Sequence, residues 1–391
     1  LEIMGVETSR QYKVSLSRQT YEEYFARIKS GGPSKLVVII DEAQFVAKRD
    51  ASFMEAVAKL KKHKLYPGPV LIILATSSTV WATQEAAEQF KGAEMKLESL
   101  NFLDVVRHFE SLPVAEIVRI YGAIGGVPAY LDKWDAAKSF KDNICRLVLT
   151  PSGALYGEAD AVISSELREL SAYSTILAAI ARGENKLNDI FHATGFSRAK
   201  ISVYLKNLAA FNIVEKVVSF ETGGWENAKK GVYQIKDTFV NFWFKFVYPN
   251  MSNLYLLSPE EFYDTYIEKE LDAYLERYFR EVCTEYLLIL NQMGQLPFTI
   301  KRVGTWIGKT GRIDIVAQSE DRRSIIGFCN WDKPMMTMDM CENMAMAMEQ
   351  ARLTSDDYYL FSATDFEPAL QSYVVRDPRF CLLYTSDAAD D

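Results

Sequence analysis

The stretch Lys35–Phe45, KLVVIIDEAQF, sets two adjacent carboxylates, Asp41 and Glu42, behind five apolar residues. A short apolar run of this kind is a buried strand, and its end places charge at the rim of a sheet. One carboxylate there can hold a divalent cation such as Mg2+, which wants oxygen ligands and keeps several waters. A second carboxylate can orient or deprotonate a water for attack on a phosphoryl group, a reaction that needs mainly positioning and charge neutralisation. On this reading Asp41 takes the metal and Glu42 the water. The plainer alternative is that the pair only ends a strand and caps the next helix.

A second strand, VLIILATSS, ends in Thr76, Ser77 and Ser78. A hydroxyl at that tip can bond the attacking water or a γ-phosphate, or it can cap the helical segment WATQEAAEQF. Such a site also needs a phosphate cradle, G-x-x-x-x-G-K-[ST], whose backbone N–H groups face the phosphates from a helix N-terminus. That motif is absent from the sequence. In GTWIGKTGRIDIVA, Gly304 precedes Gly308-Lys309-Thr310 by three intervening residues where four are required, and a strand pattern follows. This segment reads as a turn before a strand. The chain opens on Leu1, and the reading is of an N-terminally truncated fragment whose residues 384–391 are a non-native tail.

The elements that must position these groups alternate. QTYEEYFARIKS and ASFMEAVAKLKKHK are amphipathic helices, the second with Phe53, Val57 and Leu60 on one face. Two apolar strands separated by a helix predict a parallel sheet covered on both faces. Residues 111–165 read as helical, broken at YGAIGGVPAYL, where Gly125-Gly126 and Pro128 make a tight corner.

Composition narrows the classes. Half of the 391 residues are hydrophobic and a quarter charged, which describes a globular chain of two to four units. No apolar run reaches the ~20 residues that span a bilayer. The net charge of −8 gives no overall pull toward nucleic acid, so any DNA contact needs a local basic face. Five scattered cysteines and three scattered histidines show no zinc spacing and fit a reducing, cytoplasmic setting.

Taken in order, LVVIIDEAQ, the TSS strand, KLESLNFLDVVRHFE and YGAIGGVPAYL resemble the archaeal-type ATPase family of the STAND branch of AAA+ P-loop NTPases. The resemblance covers about residues 1–250 and lacks the Walker A loop. It implies ATP with Mg2+ as ligands, and Asp41 and Glu42 as Walker B acids. By the same match Ser77 is the sensor residue, and Gly126 and Pro128 form a G-x-P corner on the adenine side. Asn101, Asp104 and Thr76 depart from the family pattern.

KLNDIFHATGFSRAKISVYLKNLAAFNIVEKVV reads as a helix-turn-helix with Gly195 in the turn, and ETGGWENAKKGVYQI as a wing. Its second helix would expose Ser197, Arg198, Lys200, Ser202 and Lys206 to DNA. Residues 181–236 carry nine Lys/Arg against five Asp/Glu, the local basic face that DNA contact needs. The six aromatics of IKDTFVNFWFKFVYPN read as core closing the winged helix against the ATPase.

GRIDIVAQSEDRRSIIGFCNWDKPM has the rhythm of a PD-(D/E)xK nuclease core, and resembles the domain of unknown function, DUF234, that follows this ATPase family. Asp314 matches its first acid. Where that family reads G-E-C-K-W, the chain has Gly327-Phe328-Cys329-Asn330-Trp331, without acid or lysine. Glu281 or Glu285 can complete an acid set with Asp314, and Asp332-Lys333 lies just beyond. The resemblance implies a nuclease-like fold that has lost cleavage and binds DNA or a protein partner. The Met-rich helix TMDMCENMAMAMEQA reads as adaptable core.

The expected architecture is therefore α/β. A partial P-loop parallel sheet (1–110) precedes a helical lid (111–165), a winged helix (166–248) and a small nuclease-like α/β domain (255–383). The expected function is an ATPase whose nucleotide state switches the C-terminal module. Two alternatives stand beside it: a DNA-binding regulator with a non-functional ATPase half, and a divergent metal-dependent endonuclease.

Overall fold

The computed structural model describes residues 20–384 apart from 27–34, 63–68, 79, 165–166, 168, 221–230 and 309–310. His63, the tip of the expected wing, Lys309-Thr310 and residues 385–391 therefore lie outside the described residues. The chain forms two compact units, Leu1–Lys96 and Leu97–Asp391, each described by itself. The folding is mixed α/β, with several small sheets.

In the first unit, strand β1 (Leu36–Ile40) pairs in parallel with β2 (Val70–Leu74), from Leu36 against Val70 to Ile40 against Leu74. Helices Tyr21–Ala26, Ala43–Arg49 and Ser52–Lys61 accompany them. Phe25, Phe53, Val57, Leu60 and Trp81 form the core, with Val38, Ile40, Ile72 and Leu74 packed against it. The sheet is parallel as expected, but the expectation of cover on both faces is corrected. Val37, Ile39, Leu71 and Ile73 are exposed, Ile39 to 66%. Successive strand residues point to opposite faces, and one of the two sets meets this core.

The second unit is built around one continuous core that runs from Phe102 to Phe361. Helices Phe102–His108 and Val114–Ile124 open it. Helices Leu170–Ala181, Leu187–Thr194 and Arg198–Ala210 then lead into an antiparallel pair, β3 (Val214–Val217) and β4 (Val232–Ile235). Gly195 ends the middle helix at φ +70°, a left-handed conformation that glycine adopts without a Cβ penalty. Phe239, Phe242, Trp243, Phe244 and Phe246 are all essentially buried. The aromatic run is thus core, as its pattern suggests, and it lies within the second unit. No stacking platform for bases is open on these five rings.

A 26-residue helix, Glu268–Met293, follows and ends at Gly294 in a left-handed cap. It lies on one face of a five-stranded sheet. Its strands are β5 (Arg302–Ile307), β6 (Arg312–Gln318), β7 (Ser324–Asn330), β9 (Asp357–Ser362) and β11 (Phe380–Tyr384), in spatial order β11-β9-β7-β6-β5. Strand β6 pairs antiparallel with both β5 and β7, whereas β7-β9 and β9-β11 are parallel. Helix Met338–Ala351 covers the other face through Met344, Ala347 and Met348, so its methionines serve largely as core. A short pair, β8 (Met335–Met336) and β10 (Asp365–Phe366), edges the unit. Gly308 N–H bonds to Gly311 O at the β5-β6 turn, where the sequence reading has a turn and no phosphate loop. Tyr384, read as the first residue of the tail, instead closes β11 and packs its ring on Phe366.

Candidate functional site

The ladder of the first unit continues past its strands. Ala75 N–H bonds to Ile40 O at 2.9 Å, and Ala43 N–H bonds to Ala75 O at 3.0 Å. The two strand tips are thereby locked together, with Asp41-Glu42 on one and Thr76-Ser77 on the other. Glu42 takes φ +48° and ψ +42°. A left-handed backbone at a non-glycine residue costs of order 1 kcal/mol and persists where surrounding contacts over-determine it.

Those contacts are at hand. Glu42 Oε2 accepts from the Ser77 hydroxyl at 2.9 Å, from the Ser77 N–H at 3.2 Å, and from the Gln44 amide. Gln44 Nε2 also donates to Ser77 Oγ at 3.1 Å. The Gln44 bond, then those from Ser77, hold the Glu42 carboxyl below its ordinary range, against the opposing effect of partial burial. Asp41 is exposed, and its Oδ1 accepts the Glu42 N–H at 3.0 Å. Ser78 is 2% exposed and receives the Trp81 N–H on its Oγ. Of the serine pair, Ser78 takes the capping role, and Ser77 meets the Glu42 carboxylate. Gln44 is the residue to which sequence reasoning gave no role. Its signal was a polar side chain in D-E-A-Q directly after the acid pair, at the start of a helix whose buried residues are Ala43 and Gln44.

Gly126 and Pro128 belong to the second unit. A Cβ on Gly126 would lie 1.9 Å from Leu100 O, and Leu100 N–H bonds to Gly126 O at 2.8 Å. Pro128 starts the short helix Pro128–Leu131, where its missing N–H costs nothing. The corner is fixed by main-chain contact, as its Gly-Gly-x-Pro spacing predicts. Asn101 caps helix Phe102–His108 by accepting the Asp104 N–H, so these two of the three departures from the family pattern act as local structure.

On helix Arg198–Ala210, Ser197 is the N-cap and accepts the Lys200 N–H. Arg198 donates to Asn188 Oδ1 at 2.6 Å and lies over the Phe191 ring. Lys200 leans over Phe196 and Tyr204. Ser202 and Lys206 are exposed beside Val203, which is 57% exposed. Arg198 and Lys200 thus also make contacts within the helix pair, while Arg198 and Lys206 stay exposed.

In the C-terminal sheet, Asp314 is buried, and its Oδ1 lies 3.3 Å from Arg312 Nε and 3.6 Å from Arg280 Nε. Its Oδ2 accepts the Cys329 N–H at 3.2 Å. Burial raises the Asp314 carboxyl, while the two guanidiniums pull it back. Glu281 and Glu285 do not complete an acid set with it. Glu281 pairs with Arg277 at 2.8 Å along the helix, and Glu285 accepts the Phe102 and Leu103 N–H groups. They occupy other turns of the helix, and the residue that reaches the Asp314 side is Arg280, itself 3.5 Å from Glu276.

Asn330 is 2% exposed and donates to Ser362 Oγ and Lys333 O, a buried strut between β7 and β9. Cys329 packs toward the long helix and Phe328 toward the methionine helix, so only one phase of the strand faces Asp314. That phase carries Gly327, where a Cβ would lie 2.8 Å from Ile315 Cβ. Asp332 and Lys333 pair with each other at 2.9 Å. Burial drives the Cys329 thiol far above its ordinary range. Among the described residues, no group of three or more His, Cys, Asp and Glu can hold a metal ion. None of their helices is long and apolar enough to cross a membrane.

Comparison with known proteins gives three findings. An uncharacterized protein of Methanocaldococcus jannaschii is 27% identical over 359 residues, covering 90% of this chain and 79% of that protein. The solved Walker-type ATPase of Pyrococcus abyssi aligns with a TM-score of 0.37 at 18% identity, over 54% of this chain and 63% of that chain. A Vibrio cholerae protein aligns with a TM-score of 0.23 at 13% identity, over 91% and 88% of the two chains. Residues 243–347, which hold the long helix, strands β5 to β7 and most of the methionine helix, match the family described as archaea bacterial proteins of unknown function, and this C-terminal part of the chain is a DUF234 domain.

Proposed function

We propose that the chain is part of an ATPase of the STAND type and that Asp41, Glu42 and Ser77 are its hydrolytic residues. The observation that carries the reading is the meeting of Glu42 and Ser77 across two parallel strand tips, with Glu42 held at positive φ. Asp41 fits a Mg2+ ligand: it is exposed at the strand tip, and a single carboxylate with phosphate oxygens and waters suffices for that ion. When bound, the ion neutralises phosphate charge. Glu42 orients the water whose oxygen bonds to the γ-phosphorus as the bond to the departing diphosphate oxygen breaks. Ser77 supplies a hydroxyl donor beside it. The helix-helix-strand-strand segment is read as a winged helix, and the DUF234 domain as a nuclease-like module without cleavage. The continuous core of the second unit supports transmission between them, because packing at Val114–Ile124 bears directly on the long helix.

The test is Mg·ATP turnover by the full-length gene product containing residues 1–391, with Glu42→Gln as control. The expected result is hydrolysis that falls on the order of 100-fold or more in the variant, within the range for removing a positioned acid–base group. Turnover equal in both proteins, or none in the wild type, would overturn the reading.

A further inference from the structure

Gln44 is 2% exposed, yet it carries two N–H donors and both are used at the acid site. A carboxylate only accepts, so Glu42 requires the amide nitrogen, not the oxygen, to face it. The Oε1 of Gln44 has no partner among the described residues, so nothing there competes to turn the amide around. Three donors then converge on one oxygen of Glu42: the Gln44 amide, the Ser77 N–H and the Ser77 hydroxyl.

These donors differ in what they can do next. The Ser77 N–H is part of the strand tip, and Gln44 is fixed by burial. The Ser77 hydroxyl has one proton and turns about a single bond. It can serve Glu42 or a phosphoryl oxygen, but not both at once. We propose that Gln44 is the positioning residue of the acid site, holding Glu42 in place when the Ser77 hydroxyl turns from Glu42 to a phosphoryl oxygen. Without Gln44, the turned state leaves Glu42 with the Ser77 N–H alone, at 3.2 Å. The carboxylate is then free to swing from the water it must orient, and misplacement by about 1 Å costs up to ~100-fold in rate. This inference rests on the ATPase reading of the same site.

Two measurements test it. On the 391-residue chain labelled with [15N]glutamine, the Gln44 side-chain amide is followed by NMR in the wild type and in Ser77→Ala. Slow exchange of both amide protons in the wild type, with one released in Ser77→Ala, supports the bridge. Exchange as fast as that of an exposed glutamine overturns it. On the full-length product, Gln44→Leu is expected to lower kcat for Mg·ATP about 10–100-fold with KM within about twofold, and Gln44→Asn to recover part of the loss. An active wild type with an unchanged Gln44→Leu kcat sinks the Gln44 role while leaving the ATPase reading intact. A wild type without turnover, but with a protected Gln44 amide, sinks the ATPase reading and the catalytic role with it, and leaves only a structural bridge.

Discussion

The carboxylate of Glu285 caps the helix that begins at Phe102: across 183 residues of sequence, Phe102 N–H reaches Glu285 Oε2 at 3.1 Å, and Leu103 N–H reaches Oε1 at 3.3 Å. First-turn N–H groups have no partner inside a helix, and an acidic side chain supplies one from the long DUF234 helix. Glu285→Ala should therefore destabilise the second unit by about 1–2 kcal/mol in urea unfolding. Glu285→Gln keeps one carbonyl acceptor and should lose less. Equal stability of Glu285→Ala and wild type would show that the link carries no weight.

Asp237 caps helix Thr238–Phe242 through the Val240 N–H, at 2.8 Å. Burial, aided by Glu158, raises its carboxyl, while its backbone bonds lower it. As pH rises, the unfolded chain therefore loses this proton before the folded one, and the folded state holds more protons. The contribution of Asp237 is full below the ordinary aspartate value and is lost as pH climbs through the raised one. Asp237→Asn keeps the cap oxygen without the charge. The wild type should lose stability relative to this variant as pH rises from the ordinary aspartate value through the raised one. Parallel stability-versus-pH curves for the two proteins would sink this assignment.

Asp314 neutralises Arg280, whose side chain is only 14% exposed, together with Arg312. Asp314→Ala leaves a largely buried guanidinium with Glu276 alone and should cost about 3 kcal/mol. Millimolar Mg2+ or Mn2+ should leave the wild-type Tm unchanged, and plasmid DNA uncut. Metal-dependent stabilisation that vanishes in Asp314→Ala would instead favour the divergent endonuclease.

Gly126→Ala drives a methyl group into Leu100 O, a main-chain atom held by its own hydrogen-bonded neighbour. The expected loss is roughly 1–3 kcal/mol, as for an overpacked core. Gly157→Ala is the control, since its added Cβ meets nothing within 4 Å. Equal melting temperatures for the two variants would contradict the close approach.

Some of this protein was written in local sequence. The apolar runs 36–40 and 70–74 form strands that pair in parallel, the helix periodicities place Phe53, Val57 and Leu60 inside, and Gly195 ends its helix where the turn needs positive φ. These follow from short-range sterics and from which side of an element is apolar, and both are readable within a few residues. The partners of long polar side chains are not. Glu281 and Glu285 are four residues apart on one helix, and sequence offered both to Asp314. One bonds within its own helix and the other caps a distant one, while Arg280 takes the place beside Asp314. Likewise D-E-A-Q named the acids, but only the lock between Ala43 and Ala75 brought Ser77 to Glu42 and made Gln44 their bridge. A charged group's role depends on which opposite group folding brings within hydrogen-bond reach, and that distance belongs to the tertiary structure alone.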